Sequence, residues 1–119
     1  MILADTSVWI EHLRQGDDEL ANLLDRSQIV IHPFVIGELA LGHLKPRNQI
    51  LRALADLPQT ILATEAEVLG LIERHGLFGS GIGYIDAHLL TAIVLTPGTL
   101  IRTRDKQLLG AANKLGLAA

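Results

Sequence analysis

Short apolar runs alternate with amphipathic stretches along the whole chain, and that alternation predicts a strand–helix order repeated from end to end. Ile2 to Ala4 reads as a strand that stops at Asp5, and Asp5 or Thr6 can cap a helix carrying Val8, Trp9, Ile10 and Leu13 on its inner side. Gly16 breaks the pattern. Asp17, Asp18 and Glu19 fill the first turn of a second helix, where negative charge suits the dipole, with Leu20, Leu23 and Leu24 facing the core and an end near Ser27. Ile29 to Ile31 is the next β-type run. Pro33 follows where a helix accepts it, at the first position, ahead of Phe34, Val35, Ile36, Leu39 and Leu41. Pro46 opens a further amphipathic segment with Ile50, Leu51 and Leu54 inward, and Thr60 to Leu62 is expected as a short third strand.

The second half repeats the theme. Thr64 with Glu67 three residues on is a capping-box pattern ahead of Val68, Leu71 and Ile72, so a helix from about Thr64 to His75 is predicted, stopped by Gly76. Gly79-Ser80-Gly81-Ile82-Gly83 must be a loop. Tyr84 to Leu95 is apolar on nearly every side, which implies a helix buried in the middle of the fold, ended by the Pro97-Gly98 turn. Thr99 to Thr103 is the fourth strand, Asp105 follows it, and Leu108, Leu109, Ala112 and Leu115 form the inner face of a last helix closed by Gly116. Strands alternating with helices make this an α/β protein, with a mainly parallel sheet covered on both faces. Ligands in such folds bind beyond the carboxyl ends of the strands.

Composition narrows the class. A chain of 119 residues with 49% hydrophobic content buries one core of ordinary size, so residues 1–119 are expected to form a single domain. No apolar run approaches the ~20 residues needed to span a bilayer. The opening Met-Ile-Leu-Ala-Asp has neither a basic start nor a cleavage site, and there is no cysteine, so a cytoplasmic location is expected. A net charge of -3 argues against holding nucleic acid by a broad positive field, and 3% aromatic content argues against a base-stacking surface. Any grip on nucleic acid must be local.

The thirteen acidic residues sort by their neighbours. Asp17, Asp18, Glu19, Asp25, Asp56, Glu65, Glu67 and Glu73 belong to helix first turns or polar faces, where a solvated surface role is the ordinary reading. Asp5, Glu38 and Asp86 stand among apolar neighbours instead, where a carboxylate must be neutralised, hydrogen-bonded or bound to a cation. Asp105 follows a strand and precedes a helix, a position equally suited to a helix cap. Asp5 and Asp105 lie at carboxyl ends of strands, and Glu38 and Asp86 in or near first turns of helices that can start at the same edge. Four gathered carboxylates repel one another unless divalent cations neutralise them, which suits Mg²⁺ or Mn²⁺. Zinc is disfavoured, since there is no Cys and no His pair at ligand spacing.

With those residues placed, the chain resembles the PIN-domain nucleases, and within them the VapC toxins of toxin–antitoxin pairs. Leu3-Ala4-Asp5-Thr6-Ser7-Val8-Trp9 is similar to the family's strand-Asp-x-Ser/Thr opening, Gly37-Glu38-Leu39 to its second-acid helix, Ile85-Asp86-Ala87 to its third-acid helix and Thr103-Arg104-Asp105 to its Thr-x-Asp end. The resemblance implies a three-layer α/β sandwich with a central, mainly parallel sheet. It also implies Mg²⁺ or Mn²⁺ held by Asp5, Glu38, Asp86 and Asp105, and endonucleolytic cutting of RNA. Ser7 and Thr103 match the family's hydroxyl residues, expected to orient a carboxylate or water. A homodimer and a VapB-type antitoxin whose C-terminal segment fills the acidic groove are implied partners. The chain departs from the pattern at Gly116-Leu117-Ala118-Ala119, which leaves little for a final strand.

Two small basic groups, Arg102, Arg104 and Lys106 around Asp105 and His43, Lys45, Arg47 and Arg52 after the Glu38 helix, are candidates to grip the phosphate backbone. Solvated helix-end charges are the competing reading. The Gly79 to Gly83 loop lacks the Gly-Lys-Ser/Thr of a phosphate-cradling loop. His12, His32, His43, His75 and His88 are read as structural or surface histidines, and Trp9 as core filling. Competing functions are a catalytically silent PIN-like module that binds a protein partner, and a haloacid-dehalogenase-type or receiver-type phosphoryl-transfer domain. The former of these phosphoryl-transfer sites wants a second Asp where Ser7 stands, and the latter a paired acid and a late strand Lys that have no counterpart here.

Overall fold

The computed structural model describes residues 1–119. Three short strands make a parallel sheet in the order β2-β1-β3: β1 (Ile2–Ala4) in the centre, β2 (Ile29–Val30) on one side and β3 (Leu100–Arg102) on the other. The register pairs Leu3 with Val30 and with Ile101, so the apolar centres of the strands line up across the sheet. Leu3 and Ala4 are wholly enclosed, as a central strand covered on both faces must be.

Seven helices surround the sheet: α1 (Thr6–Gln15), α2 (Asp18–Asp25), α3 (Pro33–Ala40), α4 (Arg47–Ala55), α5 (Glu65–His75), α6 (Tyr84–Leu95) and α7 (Lys106–Leu115). The expected start and stop signals operate. Pro33 stands at the start of α3, Thr64 and Glu67 form both halves of the capping box of α5, and Asp18 and Glu19 fill the first turn of α2, with Asp17 just ahead of them as its cap and not within that turn. Gly76 and Gly116 end α5 and α7 in the left-handed conformation that glycine adopts without strain. Residues Ala87 to Ile93 of α6 are all buried, the polar His88 and Thr91 included, as expected of a helix apolar on nearly every side. No helix is long and apolar enough to cross a membrane.

The edges of the sheet differ from expectation. Thr60 to Leu62 is not a strand: a single parallel bridge joins Gln59 to Ile31, and Ile61 and Leu62 are exposed. Only Thr60 of that segment is buried, its amide donating to Ile31 O at 3.0 Å. At the opposite edge the short C-terminus does pair, through one parallel bridge between Ala118 and Ile101 in which the Ile101 amide donates to Leu117 O and the Ala119 amide to Ile101 O, each at 2.8 Å.

Helix faces are narrower than the apolar positions suggested. In α1 only Val8 and Trp9 are buried, and Ile10 and Leu13 turn outward toward α3. Leu41 lies one residue past the end of α3 and is 91% exposed. In α7 the inner face is Leu108, Ala111 and Ala112, while Leu109 is exposed.

Candidate active site

Parallel strands bring their carboxyl ends to one edge, and the chain enters a helix soon after each. Asp5 follows β1 and caps α1, with Oδ1 accepting from the Val8 amide at 3.2 Å. His32 follows β2 and caps α3, with Nδ1 accepting from the Phe34 amide at 2.9 Å. Asp105 follows β3 and caps α7, with Oδ1 accepting from the amides of Gln107 and Leu108 at 2.9 and 3.0 Å. Three helix N-termini, with their partial positive charge, therefore sit just beyond one sheet edge. The cap reading of Asp105 holds, and those bonds use Oδ1 alone.

Asp5 is 5% exposed and the most enclosed of the candidate acids. Its Oδ1 accepts from Ser7 Oγ at 2.6 Å and its Oδ2 from Thr103 Oγ1 at 2.5 Å. Those hydroxyls are themselves held, Ser7 Oγ accepting from the Arg104 amide and Thr103 Oγ1 from the Asp105 amide, both at 3.0 Å. Three donors thus satisfy a carboxylate that burial has cut off from water.

Glu38 corrects the sequence reading in one respect: it is exposed, not wrapped in apolar neighbours, and it lies in the second turn of α3. Val35 and Leu39 take the buried face of that helix, which leaves Gly37 and Glu38 on the outer one. Thr6 Oγ1 donates to Glu38 Oε1 at 2.6 Å. Asp86 is the third residue of α6, in its first turn, and half-buried. Burial holds its pKa above the ordinary value. The Gly83 amide pulls it back, and the charges of Asp105, Asp5 and Glu38 each push it up. One carboxyl thus feels the other three.

The donor set is all oxygen, without thiolate, which fits a hard divalent cation. No three His, Asp or Glu side chains form a ready-made cage.

The PIN-domain family model matches residues 2–114, essentially the whole of this architecture. The chain belongs to the PIN-domain family. This PIN domain is VapC-type: it is 48% identical over 118 residues to proteins named Ribonuclease VapC32 in two strains of Mycobacterium tuberculosis, CDC 1551 / Oshkosh and ATCC 25618 / H37Rv. Each alignment takes in 99% of this chain and 95% of the relative.

The basic candidates of this PIN domain separate once their partners are seen. Arg102 is engaged with α2, its Nη1 lying 2.8 Å from Glu19 Oε1 and its Nη2 3.9 Å from Asp17. Arg47 donates to Ala40 O at 2.7 Å and Gly42 O at 3.2 Å, completing the end of α3. Lys45, Arg104 and Lys106 are exposed, and Arg104 and Lys106 flank Asp105 directly.

The sequence offered Thr6 only as a helix-cap candidate and His32 only as a structural or surface histidine, not as a partner of Glu38 or the cap of α3. Nothing in the order of residues joins Thr6 to Glu38 across 32 positions. His32 had one local sign, its place just before Pro33, since residues there commonly cap. It is fully buried against Phe34, whose ring also packs edge-on against His88. His12 accepts from the Asp17 amide, and His43 and His75 are exposed, so the histidines are structural or superficial as read. Trp9 is buried in the main core.

Proposed function

We propose that this PIN domain, acting as a single domain, is a metal-dependent endoribonuclease and the toxin of a type II toxin–antitoxin pair. Asp5, Glu38, Asp86 and Asp105 would hold Mg²⁺ or Mn²⁺. The observation that carries the reading is the hydrogen-bond frame of Thr6, Ser7 and Thr103, which gathers Asp5, Glu38 and Asp105 at the edge where ligands of parallel sheets bind. Asp86, raised above its ordinary pKa by burial first and by the charges of these three acids after it, is in a state that a bound cation relieves.

A divalent cation in this position supplies a water of lowered pKa and polarisation of the scissile phosphate. The chain's own residues hold the frame for that chemistry. Ser7 and Thr103 lock both oxygens of Asp5, so its orientation is set before any ligand arrives. The capping bonds of Asp105 leave Oδ2 available, and the bond from Thr6 leaves Oε2 of Glu38 available. Exposed Arg104 and Lys106 beside Asp105, with Lys45 beyond α3, are placed on the surface to meet RNA phosphates, whereas Arg102 and Arg47 serve α2 and α3. No side chain acts as nucleophile in this scheme.

The partners follow from the VapC likeness: a VapB-type antitoxin that covers the acidic edge, and a second copy of the chain. The cytoplasm is the place of action. Incubation of labelled total RNA with purified protein, in Mg²⁺ or EDTA, alongside Asp5→Asn and Asp86→Asn, tests the reading. Discrete fragments that require metal and both aspartates are expected. Cleavage unaffected by EDTA or by either substitution overturns the metal site, and a folded wild type that binds Mn²⁺ but cuts no RNA favours a silent binding module.

A further inference from the structure

We propose that Thr6 is the positioning residue for Glu38: its hydroxyl, not burial or a helix cap, aims the second acid of the site at the cation. The inference rests on the metal-site reading above. Asp5 and Asp105 are held by backbone amides, Asp5 by Val8 and Asp105 by Gln107 and Leu108, and Asp86 sits half-buried in the first turn of α6. Glu38 lies on the exposed face of α3, and the hydrogen bond from Thr6 Oγ1 is the one that fixes its carboxylate. A long side chain on a solvated face otherwise samples many rotamers, and a cation bound through it must first order it.

Thr6 is suited to this work by its place. It is the first residue of α1, so no carbonyl four residues earlier in its own helix is there to take its hydroxyl proton, and the hydroxyl is free for a partner outside the helix. Its backbone sits on fixed ground. The preceding Asp5 amide donates to Arg102 O at 3.1 Å, extending the sheet by one bond, and the Asp5 side chain caps the helix. Thr6 is also β-branched, with few χ1 states to choose from. The packing of α1 against α3 delivers Glu38 to it. The bond takes Oε1 and leaves Oε2 for the cation, so Asp5-Thr6-Ser7 forms a tripeptide in which one residue is an acid of the site, the third orients that acid and the middle one orients the acid on α3.

The test is Mn²⁺ affinity, measured by calorimetry on the full chain as wild type, Thr6→Val, Thr6→Ser, Glu38→Gln and Thr6→Val with Glu38→Gln, with thermal melts in parallel. Thr6→Val is expected to weaken Mn²⁺ binding about tenfold, the scale of a hydrogen bond to a charged group, and Thr6→Ser to stay within about twofold of wild type. In the Glu38→Gln background Thr6→Val should change nothing further, which a general structural effect of position 6 would not reproduce. Wild-type affinity in Thr6→Val, or an equal loss with and without Glu38, overturns the inference while leaving the metal site standing. A wild type that binds no Mn²⁺ removes the metal-site reading itself, and this inference with it.

Discussion

The hydroxyl of Thr103 donates to Asp5 Oδ2 at 2.5 Å, joining residues 98 positions apart. The same oxygen accepts the amide of Asp105, and Ser7 makes the mirror arrangement, donating to Asp5 Oδ1 while accepting the amide of Arg104. The loop after β3 is thereby fastened to the start of α1 through two hydroxyls and one buried carboxylate. Asp105 inherits its position from that fastening. Thr103→Val keeps the shape but leaves a buried Asp5 oxygen and the Asp105 amide short of a partner. It should lower unfolding free energy in urea by about 1–3 kcal/mol, with Thr103→Ser close to wild type. Equal stability of Thr103→Val and wild type would show that water replaces the hydroxyl without loss.

Asp86 should trade stability for its charge. Its folded pKa is raised by burial and by its acidic neighbours, so the folded state binds the proton more tightly than the unfolded chain does. Stability present at low pH is therefore lost as pH rises through the raised value. In the absence of metal at neutral pH, Asp86→Asn is expected to melt at a higher temperature than wild type. Mn²⁺ should raise the wild-type midpoint and leave that of the variant much less changed. A lower midpoint for metal-free Asp86→Asn would contradict this account.

His32 gives the opposite sign. Burial, with the charge of His88 second, lowers its pKa from 6.5 to about 4. Between those values the unfolded chain takes up a proton that the folded chain refuses. The contribution is full above pH 6.5 and disappears as pH falls to about 4, amounting to up to about 3 kcal/mol. His32→Asn retains an acceptor for the Phe34 amide and cannot titrate. Denaturation curves across this window should show a flatter decline for the variant than for wild type, and identical slopes would place the pH dependence elsewhere.

At Gly81 the loop before α6 passes close to the Gln107 side chain in the first turn of α7. Gly81 has φ +85°, and a Cβ there would meet the Gln107 side chain at 2.6 Å. Gly81→Ala should destabilise the fold by about 1 kcal/mol from the backbone alone, while the free end of the exposed Gln107 side chain moves aside at little cost. Adding Gln107→Ala should therefore recover little of the loss. Thermal melts of the two single variants and the double variant check this, and full recovery in the double variant would show that the backbone carries no strain.

Much of this molecule could be read locally. The strand–helix alternation, the capping box at Thr64, the glycine stops at Gly76 and Gly116 and the buried run of α6 all depend on residues within about one helical turn of each other. The strand expected at Thr60 to Leu62 failed because a short apolar run specifies no neighbour, and here only Gln59 finds one. Ile10, Leu13, Leu41 and Leu109 were assigned inward because they are apolar, yet their exposure depends on how far each neighbouring helix reaches over them.

The sequence by itself determined most of the strand–helix alternation, the capping box at Thr64 and the acids Asp5 and Asp105 that follow strands. Only the tertiary structure decided that Thr6 meets Glu38, that Arg102 turns to Glu19, and that Asp5 has both oxygens occupied. The physical reason is range. Capping and periodicity act over three or four residues, whereas these contacts are made by side chains brought together when separately formed helices dock on one sheet, and periodicity along the chain carries no record of that docking.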